Sequence, residues 1–175
     1  MRSAAVLLAA AFLLAASAAP KQLADDDRRR IEQLAQRYFE RRADKVTSLP
    51  WRPGFGVPTT EALAAQLSVD EARLERGRER RGAFPDGGYS RAHVTTTPRR
   101  VQVDQDGTVV LHLHEHTDLY FEKSTTVDHT GYGMPHVLIF TPSAAGWVLA
   151  AAMYPPGSVC KVPPETQFCG SRSER

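Results

Sequence analysis

Between Asp25 and about Val46, apolar side chains recur at three- and four-residue intervals: Ile31, Leu34, Ala35, Tyr38 and Phe39. That spacing gathers them on one stripe of a helix. The acidic triplet Asp25-Asp26-Asp27 suits its N-terminus, where the backbone dipole favours negative charge. Pro50, Pro53, Gly54, Gly56 and Pro58 then break regular structure, although Leu49, Trp51 and Phe55 among them should find packing partners. Thr59 or Thr60 is placed to cap a second helix through Glu61, Leu63, Ala64 and Leu67. A charged helix with Val69, Ala72 and Leu74 as its apolar contacts continues to about Arg81, weakened by Gly77.

After Pro85-Asp86-Gly87-Gly88 the period of the pattern drops to two, which marks the passage from helices to an antiparallel sheet. Strands are expected at about Tyr89–Thr96, Arg99–Val103, Thr108–Phe121, Pro135–Thr141 and Trp147–Met153, with turns at Asp104–Gly107 and Pro142–Gly146. Pro98 cannot donate to a ladder, so it belongs at an edge or a bulge. A turn pairing Asp104 with Gly107 would set Val101 opposite Val110; a bulge or another register would undo this. The class is therefore α+β: N-terminal helices packed on a curved antiparallel sheet of four to five strands. Pro155-Pro156-Gly157 ends the domain, leaving a polar tail that is expected to be loose apart from one cysteine-closed loop.

A chain of 175 residues has room for one ordinary domain. Lys and Arg number 22 against 20 for Asp and Glu, a balance that argues against a nucleic-acid partner. Arg2, the apolar run Ala4–Ala16 and the small tripeptide Ala16-Ser17-Ala18 read as a cleaved secretory signal over residues 1–18, leaving the domain at 19–154 and the tail at 155–175. The run is shorter than the ~20 residues needed to span a bilayer, so a secreted, extracellular protein without stable membrane insertion is expected. In that oxidising setting Cys160 and Cys169 pair, and closing so short a loop stabilises by about 2–3 kcal/mol.

Leu111-His112-Leu113-His114-Glu115-His116-Thr117-Asp118 is the most unusual string. Side chains alternate along a strand, so His112, His114, His116 and Asp118 share a face with Val110 and Tyr120, while Leu111, Leu113, Leu119 and Phe121 share the other. Same-face residues stand about 6.6 Å apart, close enough for imidazoles to converge on a metal ion with Asp118 as a further ligand. A solvated polar face is the plainer reading of the same pattern, and a metal ion is the one cofactor candidate. Glu115 interrupts the apolar face. A buried carboxylate is costly unless paired, so it either meets an arginine of the first helix such as Arg37 or Arg41, or serves as an acid–base group with His114 or His116. No nucleophile motif surrounds Ser124, and no catalytic residue is assigned.

Helices followed by long antiparallel strands, with VQVDQDGTVVLHLHEHTDLYF and PHVLIFTPSAAGWVLAAAMY as the most telling stretches, resemble the NTF2-like superfamily. The chain is similar to the small domain that precedes a papain-like amidase domain in some secreted bacterial proteins, but lacks the amidase part. The resemblance implies a cone-shaped sheet around a helix, with Tyr38, Tyr120 and His136 as pocket candidates. It also implies a non-catalytic module for a small ligand or a protein partner, with homodimers common in the superfamily. A small pocket enzyme of isomerase, dehydratase or hydrolase type is the alternative.

Overall fold

The computed structural model describes residues 22–81, 87–123, 126–163, 166 and 168–169. The expected signal segment 1–18, the Pro85-Asp86 part of the turn before the sheet, Ser124 and the end of the tail from residue 170 lie outside the described residues.

Helix α1 spans Asp25–Asp44 and buries Ile31, Ala35, Tyr38, Phe39, Arg42 and Ala43. The buried stripe thus runs one turn beyond its apolar residues, on to an arginine. Helix α2 is one continuous element, Glu61–Arg81. Thr60 is its cap: the Leu63 N–H donates to the Thr60 hydroxyl at 3.4 Å, and the Ala64 N–H to the Thr60 carbonyl at 2.9 Å. Leu63, Leu67 and Leu74 are buried, and Gly77 is buried at the next position of that stripe. The proline- and glycine-broken segment is tied down by Lys45. Its ammonium lies 4.3 Å from the Trp51 ring centre and 4.9 Å from that of Phe55, donates to the Arg52 carbonyl at 2.9 Å, and pairs with Glu71 of α2.

The sheet is an open antiparallel meander in the order β1 (Tyr89–Val103), β2 (Val109–Phe121), β3 (His129–Ser143), β4 (Gly146–Met153). The first two expected strands are a single strand with a register shift between Pro98 and Arg100, so Pro98 stands both on an edge strand and at a bulge. Strand β3 begins six residues earlier than its pattern indicated, because Gly131, Gly133 and Pro135 disguise it. Those glycines have a steric role: a Cβ at Gly133 would fall 2.7 Å from His114 Cε1, and one at Gly131 2.7 Å from Asp118 Oδ1. Side chains of β2 lean across β3 where it offers none of its own.

The β1–β2 turn corrects one expectation. The Asp104 N–H donates to the Thr108 carbonyl at 2.8 Å and Gly107 adopts φ 87°, which makes a connection of three residues ending in a left-handed glycine. The extra residue shifts the register by one. Val101 pairs with Leu111 and Val103 with Val109, so both valines turn toward the core and away from the histidines.

Both helices cover one face of the sheet. Ile31 and Phe39 of α1 join Leu111, Leu119, Leu138, Phe140 and Leu149 in a single apolar core. The cysteine-closed loop of the tail contributes as well: Val162, Thr166 and Phe168 are buried within it, and the disulfide Cys160–Cys169 closes over a separation of nine residues. Three buried side chains give this segment a packing energy that its polar composition conceals. No helix among the described residues is long and apolar enough to cross a membrane.

Candidate functional site

Alternation along β2 points Leu111, Leu113, Glu115, Thr117 and Leu119 into the core. Glu115 is fully buried beneath α1. The stripe that places Ile31, Ala35 and Tyr38 toward the sheet brings Arg42 to it, and Arg42 Nη2 donates to Glu115 Oε2 at 2.5 Å. Strand β3 supplies two more partners on its inward positions: His136 Nε2 lies 2.8 Å from Oε2, and the Tyr132 hydroxyl donates to Oε1 at 3.1 Å. The Thr117 hydroxyl donates to Oε1 at 2.7 Å. Each carboxylate oxygen therefore has two partners, which is what allows a charge to remain ionised in a core.

Burial pushes the Glu115 carboxyl up, but the Arg42 charge and the hydrogen bonds from His136 and Thr117 outweigh it and bring the pKa down to about 2. Burial alone would lower Arg42; Glu115 holds it well above its usual value, so the pair stays charged. Its guanidinium is sandwiched between the rings of Phe39 at 4.9 Å and Phe168 at 4.5 Å. For His136, burial is again the largest influence and holds the imidazole below its ordinary value despite the carboxylate. His136 is then neutral at pH 7, with Nε2–H donating to Glu115 and Nδ1 carrying the lone pair. Burial also raises the Tyr38 phenol to about 12, so it stays protonated.

This cluster floors a cavity of about 620 Å³. Tyr38, Phe39, Phe55, Tyr154 and Phe168 supply aromatic wall, while Arg42 and His136 supply the polar floor. Asp70 and Arg73 of α2, paired at 3.1 Å, stand at its side. Such a space suits a small molecule carrying both an apolar body and polar groups.

Among the pocket candidates, Tyr38 and His136 line this cavity, and Tyr120 does not. It lies on the opposite sheet face, with the Arg91 guanidinium 3.7 Å from its ring centre and the His129 ring at 5.3 Å. His112, His114, His116 and Asp118 share that outer face, where His116 Nε2 is 3.3 Å from Asp118 Oδ1. Among the described residues no group of three or more His, Cys, Asp or Glu side chains is arranged to hold a metal ion. Glu115 and its neighbours His114 and His116 are not brought together, because adjacent positions of a strand face opposite ways. The arginine partner is Arg42, in place of Arg37 or Arg41, which belong to other faces of α1. A readable signal existed, since Arg42 continues the spacing Ile31, Ala35, Tyr38. Tyr132 had none until the start of β3 was known.

No family model matches the chain, and no curated protein matches it. Among solved structures, the Kfla4162 protein from Kribbella flavida is similar at 18% identity and TM-score 0.45, over 77% of this chain and 93% of that one. The intermembrane space region of the chloroplast protein ARC6 is similar at 11% identity and TM-score 0.39, over 72% and 94%. A conserved protein from Planctomyces limnophilus DSM 3776 is similar at 15% identity and TM-score 0.33, over 74% and 93%.

Proposed function

We propose that the mature chain is a secreted, non-catalytic binding module of the NTF2-like kind, whose cavity holds a small ligand with an apolar body and polar groups. The observation that carries this reading is the 620 Å³ space walled by aromatic rings above the buried Arg42–Glu115 pair. Ring walls reward an apolar body by excluding water, and His136 offers one hydrogen-bonding position for a polar end. The disulfide and the polar balance of the chain accord with export. The test uses N-phenyl-1-naphthylamine, a neutral fluorescent apolar probe, at neutral pH. Wild type is expected to bind it, and Ala152→Phe, which adds a ring from β4 to the cavity wall, to bind at least about tenfold more weakly with an unchanged circular dichroism spectrum. Equal affinity in the two proteins would place the probe elsewhere and overturn the reading.

A second reading, a small pocket enzyme, is favoured by one arrangement: a neutral imidazole lining the cavity and backed by a carboxylate at 2.8 Å. Such a dyad fits a general base. On this reading His136→Gln abolishes turnover of a bound compound while probe affinity stays within about twofold, and unimpaired turnover in that variant excludes it.

A further inference from the structure

Among the described residues, the charged side chains that line the cavity are Arg42 of α1 and Asp70 and Arg73 of α2. Glu115, the counter-charge of Arg42, is fully buried and takes no part in the lining, and burial keeps the His136 imidazole neutral. An occupant therefore faces two guanidinium groups and one carboxylate, and that carboxylate already meets Arg73 at 3.1 Å. Two arginines against one aspartate leave the lining with one positive charge.

Both arginines hold donors that the fold leaves unused. Arg42 directs Nη2 to Glu115, but its Nη1 reaches the Tyr154 hydroxyl only at 3.5 Å and its Nε has no partner among the described residues. Arg73 directs Nη2 to Asp70, and its Nε is likewise without a partner. The neighbouring acceptors are taken: each Glu115 oxygen has two partners, and the Phe168 carbonyl accepts from the Tyr154 hydroxyl at 3.2 Å. Water reaches neither Nε in this arrangement, so the donors within a ligand's reach are the Nη1 edge of Arg42, beside Tyr154 on the cavity wall, and the guanidinium of Arg73 turned inward from Asp70. The Arg73 side chain is 29% exposed, which leaves it room to turn. Resting on the cavity reading above, we infer that the polar group of the ligand is a carboxylate: the site takes a small amphipathic monocarboxylate, its apolar body against Tyr38, Phe55 and Phe168 and its oxygens received by Arg73 and Arg42. A carboxylate is an acceptor only, and its bonds to guanidinium are charge-assisted. A cation would meet two like charges, an alcohol or amide would bring a further donor to a site already rich in them, and a phosphate monoester would exceed the single positive charge of the lining.

The probes are 2-naphthoate and 2-naphthamide, which share one body and differ in charge, titrated by calorimetry at neutral pH. Naphthoate is expected to bind at least about tenfold more tightly than the amide. Arg73→Gln should bring the two within about threefold of each other, while its affinity for the neutral naphthylamine stays within about twofold of wild type and its circular dichroism spectrum is unchanged. The double variant Asp70→Asn, Arg73→Gln keeps the wild-type net charge and should behave as the single variant does; a preference for naphthoate retained there would assign it to overall charge and overturn the role of Arg73. Equal affinity of wild type for naphthoate and the amide, with naphthylamine still bound, overturns the carboxylate and leaves the cavity reading standing. Tighter binding of 2-naphthyl phosphate than of naphthoate overturns the choice of carboxylate. Failure of naphthylamine and of both naphthyl compounds to bind overturns the cavity reading, and the carboxylate with it.

Discussion

Replacing Arg42 by methionine is expected to lower the unfolding free energy by about 3–5 kcal/mol at neutral pH, the cost of leaving a buried carboxylate without its counter-charge. Methionine refills most of the volume between Phe39 and Phe168, so the loss reports charge more than cavity. The pH dependence carries the diagnosis. In wild type the Glu115 pKa is depressed; without Arg42, burial dominates and raises it above the unfolded value. A group with a raised pKa favours the fold below its unfolded value and loses that contribution as pH rises, so the variant should approach wild type in strong acid, fall behind as Glu115 of wild type ionises between about pH 2 and 4.5, and fall further behind above that. The double variant Arg42→Met, Glu115→Gln should recover a large part of the loss, since the amide keeps hydrogen-bonding capacity without a charge. Urea unfolding of the three proteins at acid and neutral pH decides it. A loss below about 1 kcal/mol, or a loss independent of pH, would show that the pair is not the anchor of this core.

Acid unfolding of the wild-type protein should occur in two steps with different owners. His136 is held below its ordinary value, so the unfolded chain binds the proton first, and stability begins to fall once pH drops below about 6.5. Glu115 is depressed from 4.5 to about 2, so its contribution is complete above the unfolded value and is lost as pH falls from 4.5 toward 2. At about 1.4 kcal/mol per unit, this second step amounts to about 3 kcal/mol. His136→Gln is expected to erase the first step and Glu115→Gln the second. Stability profiles from denaturant midpoints across that range provide the check, and a single step unchanged by either substitution would contradict the assignment. Both steps belong to the cluster beneath the cavity.

These expectations separate two kinds of information. Arg42 could have been named as the partner of Glu115 from helical period alone, because position 42 follows 31, 35 and 38 on one stripe; a preference for apolar stripes hid it. The other members of the cluster were hidden for a different reason. Tyr132 and His136 meet Glu115 only because β3 begins at His129, and the two glycines that help obscure that start are explained by β2 side chains crossing over them.

Period, capping residues and turn chemistry are properties of neighbouring positions. The α+β class, both helices, the irregularity at Pro98 and the alternation that puts Glu115 and the histidine row on opposite faces could therefore be read along the chain, but not which of those faces turns inward. Pairing across the sheet is not local. One left-handed glycine at position 107 moves β1 by a residue and exchanges the face of Val101 and Val103, with no trace in the alternation itself. The cavity likewise depends on Tyr38, His136 and Phe168, which stand far apart in the chain and meet only when α1, β3 and the disulfide-closed tail pack together. Burial is a sum over such distant neighbours, and it turns Glu115 and His136 from ordinary polar residues into a coupled pair whose ionisation differs from that of either group in water.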